Sequence, residues 1–373
     1  MGLNSFSVRQ EHFGTLPDGM DVQKITLTQE GVDALSGHTA VFTNFGGRWL
    51  TFTGPDRHGE LADIIRGPET LEECLADKDY AGAIIGRYAN RLAGASFELE
   101  GVRHHLTAND RGNTLHGGAC GFDRACWCVV EVAQQKDCAF VELAHRSPHG
   151  DQGFPGNLEV RARYTLREGG RLQLDLVATT DCATVVSLTC HPYFNLHGRR
   201  MEESDNSLGH LLQLPAASFL PISAQAIPAG NPRHVAHTPF DFRSPSVIGA
   251  RMDWPDEQLE AGHGYDHHFC VDAAWPTPIE PTLHAVLHEP TRGRQLKVFS
   301  TLPGLQFYSG NFLAGVSITS SDEGDTANAF RPALCLEPQF PPDAPNRQDF
   351  PSTTLEPGLE WRHSIVYTLG VAQ

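Results

Sequence analysis

Positive charge is scarce in this chain. Among 373 residues, 28 Lys and Arg stand against 45 Asp and Glu, a formal net charge of −17. Such a field repels phosphate backbones and anionic lipid surfaces. It excludes nucleic acid and membrane as expected partners and favours a neutral or cationic small molecule. Long apolar runs are missing too, so no window approaches a membrane span. The first residues lack the basic segment and apolar stretch of a secretion signal. Met1-Gly2 opens as a myristoylation signal does, but Phe6 stands where that signal wants Ser or Thr. The nine cysteines are odd in number and follow no regular framework. Cys126-Trp127-Cys128 has the spacing of neither a redox motif nor a zinc knuckle. Free thiols read as a reducing, cytoplasmic setting. The pairs His104-His105 and His267-His268 would point to opposite faces of a strand, and His-Glu-x-x-His does not occur, so no metal site is expected.

Helical periodicity is equally scarce. Thr70-Leu71-Glu72-Glu73, with Pro68 upstream, has capping-box spacing and predicts one short helix near 70–77. What is abundant is alternation. From Leu158 to Arg167 every even position is apolar and every odd one polar, as in a half-buried antiparallel strand. Glu168-Gly169-Gly170 turns the chain, and Leu172, Leu174 and Leu176 alternate again, which predicts a hairpin. A second hairpin is expected over 97–104, and further strands at 22–29, 38–44, 127–133, 138–144, 184–190, 283–288 and 295–300. The 36 glycines and 25 prolines are spread as in many short strands joined by turns. From about 201 to 264 the chain turns irregular, as an insertion lying across a sheet would. The pattern predicts an all-β fold, a large antiparallel β-sandwich with few short helices, and a single domain over 1–373.

Five stretches place functional residue types beside turns, where sites sit on rigid scaffolds. They are Gly86-Arg87-Tyr88-Ala89-Asn90-Arg91, Asn113-Thr114-Leu115-His116-Gly117-Gly118, Thr189-Cys190-His191-Pro192-Tyr193-Phe194-Asn195, the pair Tyr265-Asp266-His267 with Gln306–Asn311, and Leu334-Cys335-Leu336-Glu337-Pro338-Gln339. In the last, an apolar strand leads to Glu337 and is expected to end where Pro338 cannot donate to a ladder. Such a carboxylate is either a solvated edge residue or a base tuned by its surroundings.

Read together and in order, with Gly121-Phe122-Asp123, Trp127 and Pro239-Phe240-Asp241-Phe242, these stretches resemble the aldose 1-epimerase (galactose mutarotase) family over about residues 13 to 370. The resemblance implies a galactose mutarotase-like supersandwich and interconversion of the anomers of a free aldose such as galactose or glucose, by a monomer or homodimer. It implies Glu337 as general base, His191 as general acid, and Asn90, Arg91, His116, Tyr193, Asp266 and Gln306 as sugar contacts. Ser187 and Cys190 stand where the family usually carries asparagines.

The chemistry asks for the same residue types. A base takes the anomeric hydroxyl proton, an acid protonates the ring oxygen, the open aldehyde rotates about C1–C2 and the ring recloses; no cofactor is required. Each positioned acid or base is worth roughly 10²–10⁴-fold. Glu337 is expected ionised and His191 protonated, the imidazolium favoured by the carboxylates of Glu337 and Asp266. Competing readings are a non-catalytic sugar-binding module, a glycoside hydrolase pairing Asp266 with Glu337, and a hexose-6-phosphate epimerase. The last should show an Arg or Lys cluster, for which Arg87 and Arg91 are the candidates.

Overall fold

The computed structural model describes residues 5–31, 33, 35–199, 206–271, 278–313 and 331–372. Its described residues form antiparallel sheets almost throughout, as the alternation predicts. The largest has nine strands. Its centre is the predicted hairpin, Leu158–Arg167 paired with Arg171–Thr180, followed by the C-terminal strand Trp361–Val371. A five-stranded sheet spans Ser5–Thr15 to Leu61–Asp63. A seven-stranded sheet contains, as neighbours, Asp266–Cys270, Gly304–Tyr308, Leu334–Gln339 and Tyr193–Phe194.

The apolar positions of all three sheets meet in one core. Leu158, Val160, Ala162, Tyr164 and Leu166 of the nine-stranded sheet face it, with Ile25, Leu27 and Phe42 of the five-stranded sheet and Leu305, Phe307, Leu334 and Leu336 of the seven-stranded one. Aromatic contacts knit the seams. The Phe42 ring stacks on Tyr164 at 4.3 Å, and Trp49 lies 5.0 Å from Tyr367 and 5.9 Å from Phe194. Because strand side chains alternate, burying Leu334 and Leu336 turns Cys335 and Glu337 to the opposite face. The core thereby decides which side chains line the site.

The expected hairpin near 97–104 is Ser96–Leu99 with Val102–His105. The short helix is Leu71–Ala76, its Thr70 side chain accepting from the Glu73 N–H, while Glu73 reaches back to the Glu69 N–H. A second short helix, Glu257–Gly262, was not expected; six residues are too few to show a period, and its Asp256 cap is the local signal. The run 184–190 is not one strand but two bridges, Thr184–Val185 and Thr189–Cys190, on different partners. Pro338 does not end its strand. Leu334–Gln339 continues, with Pro338 opposite Leu305, while pairing to Tyr193–Phe194 stops at Cys335. Proline is tolerated there because the ladder on that side has run out. Of the irregular region, 206–264 adds strands to the edges of both large sheets, Leu211–Gln213 and Ser246–Val247 to one and Ser218–Phe219 and Arg233–His234 to the other. The stretch 201–205 and the longer segment near 318–330 lie outside the described residues.

The core also holds neutral histidines. Burial lowers His210, His267 and His268 to about 3, and His284 to about 4. Their folded values lie below the unfolded value near 6.5, so the unfolded chain binds more protons at every pH below that point. Stability is therefore expected to be full above about pH 6.5 and to fall from there toward pH 3–4, by up to about 1.4 kcal/mol per unit per histidine. Thermal denaturation should show a clearly lower midpoint at pH 5 than at pH 7.5; equal midpoints would contradict the buried, neutral assignment.

Candidate active site

Glu337 lies mid-strand, directly opposite Gln306 on Gly304–Tyr308, and is 2% exposed. His191 enters from the segment after Thr189–Cys190, pinned where its N–H donates to Ala83 O at 3.0 Å and its carbonyl accepts from Gly82 N at 2.8 Å. The two side chains meet, Nε2 to Oε1 at 3.5 Å. The other ring nitrogen, Nδ1, lies 3.5 Å from Cys335 Sγ. Cys335 stands two residues before Glu337 and so shares its face.

A second layer surrounds this pair. Gln306 donates its Nε2–H to Asp266 Oδ1 at 2.7 Å. Gln306 Oε1 and Glu337 Oε2 have no hydrogen-bond partner among the described residues, so both acceptors are open to a ligand. Asn90 and His116 adopt left-handed backbones, φ 64° and 51°, and clasp each other. The His116 N–H donates to Asn90 O at 3.1 Å, and the Asn90 N–H donates to His116 Nδ1 at 3.2 Å. Accepting at Nδ1 puts the proton of a neutral His116 on Nε2, making that nitrogen a donor. The His116 and His191 rings meet edge to face at 5.2 Å. Arg91 Nε donates to Asp110 Oδ2 at 2.7 Å, which fixes the guanidinium. Tyr193 packs in a small apolar cluster with Ala81, Ala333 and Cys335, its ring 5.1 Å from His191, so it walls the site as much as it belongs to the core.

Burial dominates the electrostatics. It pushes Glu337 well above the ordinary carboxylate range, and the charge of Asp266 adds to the effect. Burial lowers His191 to about 4. It raises Asp266 as well, against the pull of Arg91 and Gln306. His116 is held well below its usual value by burial, and by His191 and Arg91. At Asp110 burial opposes the charge, but Arg91 and Arg111 together outweigh it and keep the carboxyl low. Both directions run against the expected starting state of ionised Glu337 with protonated His191, because burial penalises each charge.

The structure thus brings Glu337, His191, His116, Tyr193, Asp266 and Gln306 toward one face of the seven-stranded sheet, with Asn90 and Arg91 on the adjoining loop. Arg87 is not at the site. Its guanidinium is buried and donates to the carbonyls of Ser147, Pro148, Pro155 and Gly156. Nor does Cys190 orient His191: its thiol contacts Gly82 O and Tyr164 instead. Residues missed in the sequence are Asp110, Cys335 and Tyr80, whose ring lies 4.6 Å from His116 and 6.2 Å from His191. Cys335 carried a signal, since strand alternation from Glu337 reaches it. Asp110 and Tyr80 sit in turns with no period to betray them.

A buried acid–base pair ringed by fixed hydrogen-bonding groups on an antiparallel sheet marks a proton-transferring enzyme of the β-sandwich class. The model of the aldose 1-epimerase family matches residues 32–368. Galactose mutarotase from Homo sapiens is 36% identical over 98% of this chain and 99% of its own length. Aldose 1-epimerase from Escherichia coli is 35% identical over 94% and 96%. Among solved structures, an aldose epimerase homologue from C. elegans superimposes with a TM-score of 0.77 at 27% identity, covering 90% of this chain and 96% of that one. The galactose 1-epimerase from Lactobacillus acidophilus shares the fold, with a TM-score of 0.83 at 24% identity and coverage of 99% and 100%. The chain belongs to the aldose 1-epimerase family.

The loop beneath His116 depends on Gly117, whose φ is +87° and where a Cβ would lie 2.0 Å from Gly86 O. Gly112 has a similar φ, +83°, with nothing within 4 Å. Gly112→Ala should cost the left-handed strain alone, about 1–2 kcal/mol. Gly117→Ala should add an overpacking cost of about 1–3 kcal/mol. Denaturant titration of the two variants checks this; equal losses would mean the Gly86 contact is not tight.

Proposed function

We propose that Glu337 and His191 carry the two proton transfers by which this chain, an aldose 1-epimerase, interconverts the α and β anomers of free aldoses such as galactose or glucose. The observation that carries this is the 3.5 Å contact between His191 Nε2 and Glu337 Oε1. The hydroxyl that loses a proton and the ring oxygen that gains one are bonded to the same carbon, C1, so their acid and base must stand side by side. A glycoside hydrolase instead needs two carboxyls about 5–9.5 Å apart across a scissile bond.

The pair has two forms with one proton between them, carboxylate with imidazolium and carboxylic acid with imidazole. Ring opening uses the first: Glu337 takes the O1 proton, His191 gives its proton to O5, and the pair ends neutral. The aldehyde rotates about C1–C2, and the reverse transfers close the ring on the other face. Burial favours the neutral form, the form the pair holds while the sugar is open. The first transfer therefore relieves two buried charges as it proceeds, returning the cost of forming the ion pair. Asp266, Gln306, Arg91, Asn90 and the Nε2–H of His116 would hold the hydroxyls, and Tyr193 would wall the apolar side. Arg91 is paired and Arg87 is committed to backbone carbonyls, so the arginine cluster a sugar phosphate would need is not assembled from the two candidates.

Following optical rotation of freshly dissolved α-D-galactose and α-D-glucose tests the reading. Glu337→Gln and His191→Asn should each lower the rate by roughly 10²–10⁴-fold with the fold intact. Near-normal rates in both would refute the roles, and a wild-type protein no faster than buffer on any aldose would refute the function.

The pH profile has a predictable shape. Below about pH 4 a second proton loads onto His191 and no base remains. At high pH Glu337 loses the shared proton and no acid remains. With His191 lowered and Glu337 raised, kcat/KM should stay flat through neutrality and fall on both sides, each limb belonging to the pair. A limb centred near 6.5, the ordinary histidine value, would contradict the burial argument.

A further inference from the structure

We propose that His191, Cys335 and Glu337 together form a binding site for a thiophilic divalent cation such as Zn²⁺, and that its occupancy switches the epimerase off. One imidazole nitrogen, the Cys335 thiol sulfur and one Glu337 oxygen all lie within 4.8 Å of one another. His191 reaches Glu337 Oε1 through Nε2 and Cys335 Sγ through Nδ1, each at 3.5 Å, so whichever ring nitrogen binds the ion has one ligand neighbour already at that distance. Zinc bonds of about 2.0–2.3 Å at tetrahedral angles set neighbouring ligand atoms roughly 3.3–3.6 Å apart, so the widest separation has about 1 Å to close by side-chain rotation. The positions are rigid. Cys335 and Glu337 share one face of a strand held in the sheet, and the backbone of His191 is fixed at Gly82 and Ala83.

The donor set selects the ion. One sulfur, one nitrogen and one oxygen suit Zn²⁺ or Cd²⁺, whereas Mg²⁺ takes oxygen ligands in an octahedron. Three protein ligands leave a fourth position facing the sugar-binding side. On binding, the Cys335 S–H proton and the Glu337 carboxyl proton leave to solvent, and metal–sulfur and metal–oxygen bonds take their places. The same event ties up the imidazole nitrogen or the carboxylate oxygen that proton transfer needs, so the bound ion blocks the reaction. The cation and the sugar compete for one pair of side chains. Inhibition rests on the acid–base reading above; metal binding as such does not.

Two measurements on the full chain separate these. In the polarimetric assay, Zn²⁺ should inhibit the wild type reversibly, with recovery on adding EDTA, while Mg²⁺ at the same concentration has no effect. Cys335→Ala, and Cys335→Ser should the alanine variant fold poorly, should need at least about tenfold more Zn²⁺ to lose half of their own metal-free rate. Titration with Co²⁺ should give the near-ultraviolet thiolate-to-cobalt absorption in the wild type at one equivalent, lost in both Cys335 variants and suppressed by saturating galactose. Equal zinc sensitivity in wild type and Cys335 variants, no inhibition at millimolar zinc, or a cobalt–thiolate band that survives loss of Cys335 would each overturn the site. A wild type that shows the cobalt band but no epimerisation would leave the metal site standing and overturn the function instead.

Discussion

The strand Leu334–Gln339 is the constraint on which the arrangement depends. Its even-numbered leucines are drawn into the core shared by three sheets, and that burial turns Cys335 and Glu337 outward onto the site face. Register with Gly304–Tyr308 then puts Gln306 opposite Glu337, and register with Asp266–Cys270 brings Asp266 to Gln306. The Asn90–His116 clasp is closed by reciprocal backbone and ring hydrogen bonds, and His191 is held by its own peptide groups. Hydrophobic burial on one side of a sheet thus buys geometric accuracy on the other.

The same burial sets the chemistry. A carboxyl and an imidazole in water would exchange a proton in favour of the ion pair. In a site this dry the neutral pair is favoured, because burial penalises both charges. Ring opening consumes the ion pair and ring closure restores it, so the reaction passes through both forms in each direction.

Much of the fold was legible because alternation survives in strands wet on one side. Leu158–Arg167 and Arg171–Thr180 read directly from the sequence, and the helix Leu71–Ala76 from its cap. What failed was local. Thr184–Val185 and Thr189–Cys190 form a continuous β-like run in sequence, but they pair with Thr354–Leu355 and Ile84–Ile85, partners that no local pattern reveals. Pro338 looked like a strand end because proline lacks a donor; only the register shows that the missing donor faces a side where pairing has ended. Several motif residues proved to be scaffold. Asn311 ties the Gly262 and Tyr265 carbonyls together, and Arg87 braces buried carbonyls. Side-chain type names a candidate, and only the three-dimensional partner tells a sugar contact from a brace. The protonation state was the least legible of all, since charge proximity can be guessed from a motif but the degree of desolvation cannot.

With both groups buried, the single proton of the sugar-free pair is expected on Glu337, with His191 neutral. Infrared difference spectroscopy between wild type and Glu337→Gln at neutral pH reads this directly. A carboxylic-acid C=O band is expected in the wild type and not in the variant. A difference spectrum showing only the paired stretches of an ionised carboxylate would contradict it.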